Sequence, residues 1–98
     1  MPAFLIADAI PHDPEAYRAS GYLEAAVRTA AKHGGRYRAR GGDLRVLEGD
    51  WDLRRVVIIE FPTMADLEAW YADPEYQEWI GVRRRLTESR LIAVEGLS

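Results

Sequence analysis

Residues 34–62 read GGRYRARGGDLRVLEGDWDLRRVVIIEFP, and the two ends of this stretch decide the fold. At one end Arg36, Arg38 and Arg40 alternate with Tyr37 and Ala39. Strict alternation sends successive side chains to opposite faces, so residues 36–40 are predicted to form a half-buried strand. At the other end Val56, Val57, Ile58 and Ile59 are β-branched in succession. Such a run marks residues 54–61 as a central strand covered on both faces. Between the two, Gly41-Gly42 signals a bulge or bend, because glycine tolerates backbone angles that other residues resist. Residues 44–48 are expected to prolong the first of these strands, and Gly49-Asp50-Trp51-Asp52 to turn the chain back.

Upstream, residues 3–10 are an apolar run closed by Pro11 and read as the opening strand. Asp13-Pro14-Glu15 then starts a helix: the aspartate caps, proline suits the first helical position and the glutamate favours the helix dipole. Tyr17, Leu23, Ala26, Val27, Ala30 and Ala31 follow at mostly helical spacing, interrupted by Gly21. Gly34-Gly35 stops this helix, with Lys32 and His33 in its last turn. Downstream, Thr63 caps a second helix through Met64, Leu67, Trp70 and Tyr71. Asp73-Pro74-Glu75 repeats the cap signature and begins a short helix through Tyr76, Trp79 and Ile80, and residues 91–94 form the last strand. The order is β-α-β-β-α-β, the split arrangement of a ferredoxin-like α+β fold with four antiparallel strands and two main helices on one face.

Strand parity assigns the two faces of that sheet. Leu5, Ala7, Ala9, Tyr37, Ala39, Val57, Ile59 and Phe61 are expected beneath the helices. Phe4, Ile6, Asp8, Arg38, Arg40, Val56, Ile58 and Glu60 fall on the other face. That second face is too apolar for water yet carries four charges, so a homodimer with two sheets packed face to face is expected to cover it.

Composition narrows the function classes. At 98 residues the chain is one domain, residues 1–98. No stretch nears the roughly 20 apolar residues that a membrane span needs. The start, MPAFLIADAI, lacks a basic region and meets Asp8 too early for a signal peptide. With no cysteine there is no disulfide, thiolate metal site or cysteine nucleophile, and the cytoplasm is the expected compartment. A net charge of -3 argues against nonspecific nucleic-acid binding. Lys32 is the only lysine, an arginine bias that fits a GC-rich bacterial genome.

In order along the chain, Ala7-Asp8, Asp13-Pro14-Glu15-Ala16-Tyr17, Gly34-Gly35-Arg36-Tyr37, Arg40-Gly41-Gly42 and Leu47-Glu48-Gly49-Asp50-Trp51 carry a family resemblance. Ile59-Glu60-Phe61-Pro62, Ala69-Trp70-Tyr71, Pro74-Glu75-Tyr76 and Val94-Glu95-Gly96 continue it over nearly the whole chain. In these segments the protein resembles the small dimeric α/β-barrel proteins grouped as a domain of unknown function, number 1330. The resemblance implies a ferredoxin-like protomer and a homodimer whose sheets form a barrel, and it implies no activity. The wider dimeric α/β-barrel superfamily holds cofactor-free monooxygenases, haem-degrading enzymes and muconolactone-isomerase-like proteins, an analogy at the level of fold. Arg38 departs from the family pattern by standing where an apolar residue is expected.

Arg40 and Glu60 are the leading polar pair, expected on one face of neighbouring strands. Arg40 has the planar fork that grips a carboxylate or enolate, and Glu60 is a candidate general base if burial raises its pKa. The competing reading is an ion pair that fixes dimer register or supports the bulge. Asp8 is expected to join them as a second carboxylate, or else to bond a backbone amide or an arginine. Arg38 and Tyr37 are candidates for the same pocket, and Trp70, Tyr71, Tyr76 and Trp79 could line its mouth or simply pack. His12 and His33 show no metal-ligand spacing, and no cofactor is indicated. Arg83-Arg84-Arg85 reads as a solvated cluster following a helix. Three functions stay open: a protein binding a small organic molecule between sheet and helices; a cofactor-free monooxygenase- or isomerase-like enzyme with Glu60 or Asp8 as base and Arg40 holding an anionic intermediate; and a purely structural dimeric module.

Overall fold

The structure, a computed structural model, describes residues 1–97. Its elements are β1 (Ala3–Pro11), α1 (Pro14–Ala19), α2 (Tyr22–Lys32), β2 (Arg36–Arg40), β3 (Val56–Phe61), α3 (Met64–Ala72), α4 (Pro74–Leu86) and β4 (Thr87–Glu95). The strands lie in the order β2-β3-β1-β4 and all pair antiparallel. All four helices cover one face, which is the ferredoxin-like arrangement. Ala3, Leu5, Ala7, Val57, Ile59 and Phe61 from the sheet pack against Tyr22, Ala26, Ala30, Leu67, Trp70, Tyr76 and Ile80 from the helices. The other face of the sheet carries no layer of its own, and the molecule is only 16 Å thick along its shortest axis.

The helix starts follow the capping chemistry. Asp13 accepts from the amides of Glu15 and Ala16 at 3.0 and 3.3 Å, Thr63 from Asp66 at 3.1 Å, and Asp73 from Glu75 at 2.8 Å. Gly21 does more than loosen the first helix. Its φ of 86° breaks the segment into α1 and α2, and the Trp79 ring lies 3.3 Å from where a Cβ would stand. At the far end of α2 the Gly35 amide bonds Ala30 O at 2.8 Å and the Phe61 ring comes within 2.7 Å of a Cβ position. Only glycine permits α2 to run so close to β3.

Three expectations change. Residues 44–48 do not prolong β2. The Asp8 carboxylate engages the amides of Arg54 and Arg55 at 3.0 and 2.8 Å, and β3 begins only at Val56. The segment forms no regular element, with Leu47 91% exposed. The short helix expected through Ile80 continues to Leu86 and passes directly into β4, itself longer than residues 91–94.

The third change concerns facing. Tyr37 pairs with Ile59, but Ala39 pairs with Ile58 and Arg40 with Val57, so one extra residue is inserted at Arg38. A bulge of this kind reverses the parity of everything beyond it. Ala39 therefore joins Ile58 on the open face, and Arg40 turns with Val57 toward the helices, the reverse of both expectations.

A cavity between the sheet and the helices

The bulge delivers Arg40 to a partly open cavity of about 30 Å³ between the sheet and the helices. Leu5, Ala7, Val57, Ile59 and Leu91 form its apolar floor. Its roof and rim are aromatic and basic: Tyr17, Tyr22, Tyr37, Trp70 and Tyr76 with Arg40, Arg55 and Arg83. Among the described residues no carboxylate lines it.

Arg83 is the least expected member. On α4, Tyr76, Ile80 and Arg83 share the buried stripe that four- and three-residue steps create, while Arg84 and Arg85 stand in solvent. Arg83 is 4% exposed. Its Nη1 donates to Ser89 Oγ at 2.6 Å, and its Nε has no hydrogen-bond partner. Burial disfavours its charge, but the hydroxyls of Tyr76 and Tyr22 outweigh that and move its pKa upward, so the guanidinium stays charged.

The tyrosines are held in their neutral form. Tyr22 and Tyr76 meet hydroxyl to hydroxyl at 2.7 Å, and burial is the main cause that raises the pKa of Tyr17, Tyr22, Tyr37 and Tyr76. The Arg40 guanidinium lies 5.5 Å from the centre of the Tyr37 ring and that of Arg55 5.8 Å from Tyr17, within cation–π range. Trp70 stacks on Tyr76 with ring centres 4.2 Å apart and donates its indole N–H to Thr29 Oγ1 at 3.1 Å. Thr29 in turn donates to Ala25 O at 2.7 Å. This chain of contacts fixes the roof of the cavity from α2, α3 and α4 at once.

Of the residues singled out in the sequence, Tyr37, Arg40, Trp70 and Tyr76 converge here, while Arg38, Glu60 and Asp8 do not. Glu60 and Arg40 are not a pair: Arg38 Nε donates to Glu60 Oε1 at 3.0 Å on the open face, and the bulge sends Arg40 to the other side. Asp8 is 4% exposed. Burial pushes its pKa up, but the Arg55 and Arg54 amides and the Arg90 side chain, 3.4 Å away, bring it below the ordinary carboxylate value. It is an anionic anchor for the start of β3. Tyr71 packs edge-on against Trp70, Trp79 covers Gly21, and His33 bonds Asp73 Oδ2 at 2.8 Å across the ends of α2 and α4. Tyr22, Arg55 and Arg83 escaped the sequence reading as site residues. The spacing of residues 76, 80 and 83 was the available signal for Arg83, hidden by ending that helix at Ile80.

Among the described residues no three His, Asp or Glu side chains gather as a metal site, and no helix is long and apolar enough to cross a membrane.

Fold and cavity together define a ferredoxin-like α+β protein with a basic, tyrosine-rich interior. The chain belongs to the family described as Domain of unknown function (DUF1330), which matches residues 2–97. Among solved structures it is similar to RPA0582, a protein of unknown function from Rhodopseudomonas palustris, at 23% identity and a TM-score of 0.70, over 99% of this chain and 83% of that one. It is similar to a dimeric protein of unknown function and ferredoxin-like fold from Bacteroides fragilis, at 17% identity and a TM-score of 0.59, over 97% and 96% of the two chains. SnoaB, a cofactor-independent oxygenase from Streptomyces nogalater, matches at 18% identity and a TM-score of 0.59, over 99% and 94%. Identities this low show the fold alone. No curated protein matches the chain.

Proposed function

We propose that the protein is a homodimer, paired through the open face of its sheet, that binds a small organic molecule in the cavity between sheet and helices. The observation that carries the binding reading is a cavity with an apolar floor and unneutralised polar groups around it. Small-molecule sites combine those two features.

The dimer reading is supported by the open face. Ile58, Ile6 and Ile92 stand in one row across β3, β1 and β4, and Phe4 and Val94 are cross-strand neighbours beside it. Ile92 is 64% exposed in the single chain. A second copy buries this row, and a stable interface of this kind is expected to bury roughly 2,000 Å² in total. The Bacteroides fragilis neighbour is dimeric.

A cofactor-free enzyme using Glu60 or Asp8 as base and Arg40 to hold an anion has less support, since neither carboxylate lines the cavity. Native mass spectrometry of the untagged protein, followed by denaturing release, tests the whole reading. A dimer that releases a reproducible small organic mass is the expected result. A monomer, or a dimer that releases nothing and binds no small organic molecule added to it, contradicts it.

A further inference from the structure

We infer that the cavity is an anion site and that its ligand is a small organic carboxylate, held by Arg83 and the hydroxyl pair of Tyr22 and Tyr76. This rests on the binding reading above and names the chemistry of the same site.

Arg83 Nε carries a proton with no acceptor, on a side chain that is 4% exposed. Tyr22 and Tyr76 own two hydroxyl protons, and their 2.7 Å contact uses one. Among the described residues no side chain or carbonyl accepts the second. Arg83 Nε and one hydroxyl proton of the pair are therefore donors in need of an acceptor. Among the described residues no ion pair neutralises Arg40, Arg55 or Arg83. Buried donors without acceptors are unfavourable, and a charged acceptor resolves all of them at once.

The walls select the kind of anion. Leu5, Ala7, Val57, Ile59 and Leu91 suit an alkyl group, and an inorganic ion leaves them unused. The 30 Å³ volume has room for about two water positions, so it takes only the carboxylate end of an acid, and the chain must run outward along the apolar floor. The planar guanidinium of Arg83 can grip either a carboxylate or a phosphate, so the apolar walls are what favour the organic acid. Arg40 is exposed and Arg55 half-buried, so the body of a longer acid leaves the cavity on their side.

Titration of the full-length protein with propionate, propionamide and inorganic phosphate, followed by NMR chemical shifts of cavity residues, tests this. Propionate should bind saturably, and its neutral isostere propionamide more weakly by about tenfold or more. Arg83→Met should weaken propionate by at least about the same factor. If that variant does not fold, the Tyr22→Phe/Tyr76→Phe pair replaces it, since removing both partners of a buried hydrogen bond is close to neutral for stability. That pair should also weaken propionate. Propionamide binding as tightly as propionate, or variants that bind propionate unchanged, overturns the anion assignment and leaves the small-molecule reading standing. Phosphate binding in preference to propionate overturns the organic carboxylate. No binding of any probe, in a protein that also releases no small molecule, overturns both.

Discussion

Tyr22 on α2 and Tyr76 on α4 join their hydroxyls at 2.7 Å, 54 residues apart in sequence and buried beneath the helix layer. This bond ties the two longest helices together at the wall of the cavity. Both rings belong to a cluster in which Tyr17, Tyr22 and Tyr76 follow one another at 5.8 and 6.2 Å, and Tyr76 continues to Trp70.

Removing one hydroxyl leaves the other buried without its partner. Tyr22→Phe is expected to destabilise the fold by about 1 kcal/mol, and the double change with Tyr76→Phe by less than the sum of the singles. Denaturant unfolding of the four proteins in the cycle measures this. Strict additivity contradicts the pairing.

Asp8 should matter more for stability than for chemistry. Its carboxylate holds two adjacent amides and meets Arg90, so Asp8→Ala strands two donors and is expected to cost on the order of 3 kcal/mol. Asp8→Asn keeps one acceptor oxygen and should cost less. A thermal melt in which Ala and wild type coincide removes Asp8 as the anchor of β3.

How far the fold could be read from the sequence follows from these elements. Alternating and β-branched runs fixed β1, β2 and β3 because side-chain period and burial are local properties. The helix starts were equally legible, since Asp13, Thr63 and Asp73 act within three residues of themselves. The site was harder because it depends on one inserted residue. A bulge at Arg38 has no composition signature, and the glycines that suggested one stand three and four residues later. Its consequence, Arg40 facing Val57 in place of Glu60 beside it, is set by pairing with a distant strand. Arg83 was hidden for a different reason: an arginine triplet looks like a solvated helix end until the helix is known to run to Leu86.

The ends of α2 and α4 are joined by charge, and this gives a pH signature. The His33 hydrogen bond, aided by the Glu75 amide and Lys32, lowers the Asp73 pKa from its ordinary 3.8 to about 2. A carboxylate lowered in the folded state stabilises fully above its unfolded pKa, and that contribution is lost as pH falls through the folded value. Stability should therefore decline between about pH 4 and pH 2. Asp73→Asn, which can still cap α4, should flatten that part of the profile in unfolding experiments across the range. An unchanged slope rules out the pair as its source.

On the open face Ile6 is central, with Ile58 and Ile92 as its cross-strand neighbours. Ile6→Glu puts a charge in the middle of the proposed dimer interface, where an unpaired carboxylate is strongly disfavoured. Light scattering should then show a folded monomer in place of the dimer. A dimer that survives the substitution places the interface elsewhere.

The account turns on a small organic acid seated at Arg83. Crystals grown with propionate give the most direct view: the account predicts planar density in the cavity within hydrogen-bond distance of Arg83 Nε and a tyrosine hydroxyl. A cavity closed by protein side chains, or holding only water at saturating propionate, contradicts it.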